Sequence, residues 1–241
     1  DDGSGIPSDE VAEAFKRHAT SKLNVLEDLE HIQTMGFRGE ALPSIASVSK
    51  VQMITRPLGS DVATLLEVEG SQVLRIGPSA GPPGTTVTVE ELFMNIPARR
   101  KYLRTATSET GRIKRIVQDL SLASSGIKFE FYSDGREILR TPGTGSVKDA
   151  MAGVFGTVIA TSMVEIVDAP LGPYGVRGLI GPASITRGNR TGIHLFVNGR
   201  STQHRALSIA LEEAYHGFLM TNRFPVAVVF LTIPSAEVDF N

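Results

Sequence analysis

Apolar residues along this chain recur with two different periods, and the changes between them divide it. Val11, Ala14 and Phe15 share one face of a short helix read over residues 9–17, with Ser8 placed to cap it. Thr20 to Met35 is polar and poorly periodic, and a mobile loop is expected there. A second helix is predicted from Glu40 to Val48, with Pro43 tolerable only because it falls in the first turn. The period then shortens. Val51–Thr55, Val62–Val68, Val73–Ile76 and Thr86–Leu92 are β-branched runs separated by Pro-Leu-Gly-Ser, Glu-Gly-Ser and Pro-Ser-Ala-Gly-Pro-Pro-Gly. Connections this short favour antiparallel neighbours over crossover helices.

Helical spacing returns at Ile113, Ile116, Val117 and Leu120, an amphipathic stripe ending near Gly126. Asp134-Gly135 between Phe129–Tyr132 and Glu137–Leu139 predicts a hairpin. Thr141-Pro142-Gly143-Thr144-Gly145 is the natural boundary, giving domains over 1–143 and 144–241. Beyond it come a helix from Val147 to Val154 and strands at Val164–Val167, Gly175–Ile180 and Ile193–Val197. A turn at Asn198-Gly199, a helix at Ala206–Tyr215 and the almost wholly apolar strand Val226–Ile233 follow. That last strand reads as buried on both faces. The class is α+β: helices layered on a mainly antiparallel sheet, then a smaller α+β unit.

Composition changes this picture only at points. Of 241 residues, 41% are hydrophobic and 21% charged, which supplies a packed core. No apolar run is long enough for a membrane helix and no secretory leader precedes Asp1, so a soluble protein is expected. The absence of cysteine excludes disulfides and thiolate metal sites. A net charge of −2 argues against a generally basic nucleic-acid binder. From Arg99 to Arg115, however, seven basic residues stand against the single acid Glu109. A solvated helix surface and a local nucleic-acid face both account for that run.

The candidate chemistry lies in the glycine turns. Gly36-Phe37-Arg38-Gly39-Glu40-Ala41-Leu42 sets two glycines three apart before a helix, a junction whose backbone N–H groups suit phosphate oxygens. Asp1-Asp2-Gly3-Ser4-Gly5-Ile6 is an acidic, glycine-flanked turn, able to offer a carboxylate to a base edge or a cation. His18-Ala19-Thr20-Ser21-Lys22 carries hydroxyls and an ammonium that partner phosphate. Gly84-Thr85-Thr86-Val87 begins a strand after a Pro-Gly turn. No Ser-His-Asp arrangement, zinc-ligand spacing or Walker A sequence is present.

Taken in order, D-x-G-x-G-I, R-H-A-T-S-K, G-F-R-G-E-A-L and G-T-T-V resemble the GHKL ATPases. G-F-R-G-E-A-L with Asn95-Ile96-Pro97-Ala98-Arg99-Arg100-Lys101 narrows the resemblance to the MutL group of DNA mismatch-repair proteins. These motifs disfavour a histidine kinase or a type II topoisomerase. The resemblance implies a Bergerat-type α/β sandwich ATPase domain followed by a smaller ribosomal-protein-like α+β domain.

It implies that Asp1 accepts from the adenine amino group, that Gly3 and Gly5 let the purine approach, and that Thr85 supports the same pocket. Asp2 stands where the family more often has Asn. Thr20, Ser21 and Lys22 would meet phosphate from a lid spanning about 18–39, and Gly36, Phe37, Arg38, Gly39, Glu40, Ala41 and Leu42 would form the cradle. His18 is read as structural. Arg200 and Arg205 fall where the group contacts DNA.

The implied function is an ATP-driven switch of mismatch repair. ATP with Mg²⁺ orders the lid, the lid favours dimerisation, and DNA is gripped without base readout. A mismatch-recognition protein is the implied partner. The compartment is the cytoplasm beside the nucleoid in a bacterium, or the nucleus in a eukaryote. A non-hydrolysing DNA-binding or scaffold module is the alternative. In the family the glutamate that activates water and the asparagine that holds Mg²⁺ precede D-x-G-x-G, and a histidine-proline segment with a lysine follows later. The chain is therefore read as a fragment with no catalytic or metal-ligating residue of its own, expected not to turn ATP over.

Overall fold

The computed structural model describes residues 1–16, 39–167 and 172–238. They form two compact units, Asp1–Arg104 and Thr105–Asn241.

The first unit is built on four antiparallel strands, β1 (Lys50–Arg56), β2 (Ala63–Glu69), β3 (Gln72–Ser79) and β4 (Gly84–Glu90), in the order β3-β2-β1-β4. The expected runs all appear as strands, within two residues of their expected starts. Side chains two apart share a face, so register decides the core. Met53 lies opposite Leu66 and Val87, and Val51 opposite Val68 and Val89. Val51, Met53, Leu66 and Val68 are buried with Val11 and with Ala46 of the short helix α1 (Ala41–Ala46). Burying side chains of this size contributes about 1.5–3 kcal/mol each. Val87 and Val89, on the outer strand, stay 42% exposed.

The helix expected over 9–17 is instead a series of turns with a 3-10 segment at Glu13–Phe15, although Val11 is fully buried as its pattern required. Its N-cap position falls at Ala12, which has no side-chain oxygen to cap the segment. The first unit closes with the five-residue helix α2 (Pro97–Lys101), which carries Pro at its start.

The second unit opens with α3 (Ala106–Ala123), capped by Thr105, and the hairpin β5 (Lys128–Ser133) and β6 (Arg136–Pro142). Two helices follow, α4 (Val147–Phe155) and α5 (Thr157–Ser162). The main sheet runs β11-β10-β13-β8-β7, comprising β7 (Val164–Ile166), β8 (Gly175–Ile180), β10 (Ile193–Val197), β11 (Arg200–Thr202) and β13 (Ala227–Thr232). The pairs Phe224–Pro225 and Thr186–Arg187 form a separate small ribbon, β12 with β9. β10 and β13 are parallel, and the other pairings in the main sheet are antiparallel.

One face of that sheet packs Phe196, Val228 and Phe230 against Leu122, Ala150 and Met151. The other packs Ile193, Leu195, Ala227 and Val229 against Leu207 and Leu211 of α6 (Arg205–Ala214). Helices on both faces explain why β10 and most of β13 are buried throughout.

The compact units divide after Arg104, because α3 and the hairpin pack with α4 and β11. One expectation changes in this unit. The apolar stripe of α3 does not bury as expected: Ile113 and Ile116 are 46% and 60% exposed, while Asp119, Ser121 and Leu122 are buried. The hydrogen bonds of Asp119 turn that polar face inward. Among the described residues no helix is long and apolar enough to cross a membrane.

Candidate nucleotide site and DNA-contact turn

In the first unit, the residues at the two ends of the expected pocket lie side by side. The Asp1 nitrogen donates to the Thr85 carbonyl at 2.8 Å, and the Thr85 N–H donates to the Asp1 carbonyl at 3.1 Å. This bridge runs along the edge of β4 away from β1. It requires close backbone contact, and Gly84 permits it. A Cβ built there would stand 2.1 Å from the Asp1 carbonyl oxygen, and its φ of +109° is one that side chains rarely adopt. Gly5 allows a similar approach on the other side of the turn, where a Cβ would meet the Arg56 carbonyl oxygen at 2.2 Å.

Thr55 ties these pieces together from inside. Its side chain is fully buried, and its hydroxyl oxygen accepts from the Ile6 N–H at 2.9 Å. The same hydroxyl lies 2.9 Å from that of Thr85 and 3.2 Å from the Gly84 carbonyl. Asp1 Oδ1 accepts from the Gly3 N–H at 3.0 Å, while Oδ2 has no hydrogen bond among the described residues. Gly3, Asp1 and Asp2 are exposed. The arrangement therefore presents an acceptor-only carboxylate beside a threonine, on backbone fixed by two glycines and a buried hydroxyl.

The rest of the expected cradle is only partly described. Thr20, Ser21, Lys22, Gly36, Phe37 and Arg38 lie outside the described residues, as does His18 and with it the lid assignment. Gly39 has φ +59°, Glu40 occupies the N-cap position, Ala41 begins α1, and Leu42 packs on the core beside Val11. Among the described residues no three histidine or acidic side chains gather into a metal-holding group.

In the second unit, the turn between β10 and β11 leads into Arg200, and Arg205 follows β11; these are the two residues expected to contact DNA. Asn198 and Gly199 both have positive φ, +48° and +79°, which suits a two-residue hairpin. The Asn198 side chain donates to the Ile233 carbonyl at 2.8 Å and accepts from the Ile233 N–H at 3.0 Å, locking the turn to the end of β13. Arg200 opens β11 and is half-buried, whereas Arg205 opens α6 and is exposed. A cation in the first turn opposes the helix dipole. Local stability does not account for Arg205 there.

Behind the turn lies a buried polar cluster that the sequence pattern did not reveal. Asp119 Oδ1 lies 2.5 Å from His194 Nδ1, and Oδ2 accepts from Ser201 at 2.9 Å. Arg115 reaches across with Nη1 3.2 Å from His194 Nε2, and also donates to the Thr191 and Ile193 carbonyls at 2.7 and 2.6 Å. A guanidinium can only donate, so His194 Nε2 accepts and its proton sits on Nδ1, facing Asp119. Burial lowers the His194 pKa, with the charge of Arg115 acting the same way, and together they outweigh the hydrogen bond to Asp119. For Asp119, burial acts upward, but the His194 hydrogen bond and the Arg115 charge carry its carboxyl below the usual range. The cluster is thus an ionised aspartate, a neutral histidine and an arginine. Residues 75 apart in sequence leave no local pattern, so only a buried His194 within an apolar strand could have hinted at it.

Along its whole length the chain is 43% identical to the DNA mismatch repair protein MutL of Desulforudis audaxviator, and 43% identical to that of Streptococcus pneumoniae. The chain belongs to the MutL family. It spans 42% and 37% of those two relatives' lengths. Residues 151–241 match the family of the DNA mismatch repair protein, C-terminal domain. Among solved structures, the N-terminal domain of a DNA repair protein superimposes with a TM-score of 0.80 at 26% identity, covering all of this chain and 75% of that one. The MutL ATPase domain of Aquifex aeolicus, complexed with ADP, gives 0.72 at 23% identity over all of this chain and 85% of that one. The α+β architecture of this MutL-family chain is therefore shared with these solved DNA repair and MutL ATPase domains, the fold that the motifs implied.

Proposed function

We propose that the intact protein is an ATP-binding and ATP-hydrolysing switch of DNA mismatch repair. The observation that carries this reading is the pairing of Asp1 with Thr85 across a backbone contact that only glycine at position 84 allows. An acceptor-only carboxylate at that place matches an exocyclic N–H₂ and rejects a carbonyl, which selects adenine over guanine. Gly3 leaves room at that carboxylate, where a Cβ would stand 3.0 Å from Oδ1, Gly5 is assigned with it to the purine approach, and Thr85 adds a hydroxyl beside it. Gly39 to Leu42, with Gly36 to Arg38 and Thr20 to Lys22, are assigned to the phosphates.

Mg²⁺ would neutralise phosphate charge when bound. ATP binding is proposed to favour pairing of two such chains, with a mismatch-recognition protein as the upstream partner. With bacterial relatives, the cytoplasm beside the nucleoid is the proposed compartment.

Arg200 and Arg205 are proposed to grip DNA phosphates without reading bases. Arg205 is exposed, and the N–H groups of the α6 first turn point the same polarity toward an anion. Turnover separates the switch from a non-hydrolysing scaffold. Intact protein should release phosphate from ATP, and Arg205→Glu should weaken DNA binding while leaving ATP affinity unchanged. Absence of both binding and turnover of ATP in the intact protein would leave the scaffold reading in its place.

A further inference from the structure

We propose that Asp119 is a positioning residue for the DNA-contact turn, acting through Ser201. The proposal rests on the assignment of Arg200 to DNA phosphate. β11 has only three residues, lies at the sheet edge, and pairs with β10 alone through Val197–Arg200, Phe196–Ser201 and Leu195–Thr202. A strand this short with one neighbour is marginal by itself. Two side-chain anchors hold it. Asn198 fixes the turn to Ile233, and the Ser201 hydroxyl fixes the strand to Asp119 on α3.

Ser201 directly follows Arg200, so their side chains leave opposite faces of the strand. Pinning Ser201 toward α3 therefore sets the direction in which Arg200 leaves on the opposite face, the one that carries α6. Asp119 is itself held from three sides. His194 donates to its Oδ1, Ser201 donates to its Oδ2, and Arg115 Nε stands 3.5 Å from Oδ1. Arg115 in turn holds the backbone of Thr191 and Ile193 leading into β10. The hairpin that carries Arg200 is thus referenced to α3 at both of its strands.

An apolar cluster of the same volume would stabilise the unit as well or better, because buried charge carries a desolvation cost. What the polar cluster adds is direction: a hydroxyl on Asp119 Oδ2 fixes one geometry, where an apolar contact tolerates several. The cluster therefore acts on binding through the placement of Arg200.

The test uses the intact protein and DNA affinity measured across salt, with ATP affinity as a control. Ser201→Ala removes one hydroxyl from an exposed edge position and leaves the His194–Asp119–Arg115 contacts in place. It should weaken DNA binding and flatten the log–log salt slope by about 0.7–0.9, the amount expected for one lost phosphate contact. Ser201→Thr, which restores a hydroxyl, should recover both. In an Arg200→Ala background, Ser201→Ala should add nothing further. Wild-type affinity and slope in Ser201→Ala, with Arg200→Ala impaired, would overturn the positioning role and leave the DNA assignment standing. Equal losses from Ser201→Ala with and without Arg200 would also overturn it. Wild-type binding by Arg200→Ala would remove the DNA assignment and this proposal together.

Discussion

The two candidate sites are held in place by opposite means. In the first unit, Asp1 and Thr85 are fixed by backbone meeting backbone, with Gly5 and Gly84 providing the room and Thr55 a side-chain link from within. In the second, the 198–200 turn is fixed by side chains reaching over long sequence distances, Asn198 to Ile233 and Ser201 to Asp119. A site built on backbone approach tolerates no added atom. A site built on a polar network tolerates no missing one.

The largest expected effect follows from the first half of that contrast. Gly84→Ala places a Cβ against the Asp1 carbonyl oxygen and forces a disfavoured φ, so a loss of about 3–5 kcal/mol from strain and overpacking is expected by denaturant unfolding. Gly59→Ala is the control. Its φ is +84° but nothing lies within 4 Å, so only about 1–2 kcal/mol of backbone strain is expected. Equal losses at the two positions would show that close approach does not govern the first site.

Next in size is Asp119→Ala, which leaves His194 and Arg115 without their shared acceptor. A destabilisation of about 3 kcal/mol is expected, read as local hydrogen exchange along β10 and β11. Thr55→Val is smaller. It strands the Ile6 N–H and removes the hydroxyl beside Thr85, and should cost about 1–3 kcal/mol while loosening the Asp1 turn.

Acid should separate the units with the smallest effect. The His194 pKa lies below its ordinary value of 6.5 in the folded chain, so the unfolded chain takes up the proton first. Its contribution is complete above pH 6.5 and declines as pH falls toward the folded value, by at most about 1.4 kcal/mol per pH unit for one proton. The depressed Asp119 carboxyl adds a further loss only below its ordinary value of 3.8. Among the described residues, the first unit holds no histidine. Exchange should therefore quicken in β10 before β1 as pH falls below 6.5. The reverse order would contradict the charge states assigned to the cluster.

This contrast also explains what can be read in the sequence. The strands β1 to β4 and β13 are legible because β-branched runs between Gly and Pro turns are local signals. The Asp1 and Thr85 positions are legible because close backbone approach writes glycines into short windows, as in D-x-G-x-G and G-T-T-V. The face of α3 is not. Ile113 and Ile116 carry the helical period, yet the buried side is set by Asp119 and its partners on strands 75 or more residues away. No periodicity reports such a partner. The 3-10 segment at Glu13–Phe15 reads as α-helix because Val11, Ala14 and Phe15 fit both spacings over so few residues.

Nucleotide choice by Asp1 is the central claim, and titration calorimetry of the intact protein with ATP and GTP, wild type against Asp1→Asn, tests it most directly. Asn can turn its amide nitrogen or its oxygen toward the base, so the charged acceptor and its preference are lost together. Wild-type protein should prefer ATP, and Asp1→Asn should bind ATP about 10–100-fold more weakly, the worth of a hydrogen bond to a charged group, with the preference over GTP reduced. Unchanged ATP affinity and unchanged preference in Asp1→Asn would contradict the account and show that the carboxylate beside Thr85 does not read the base.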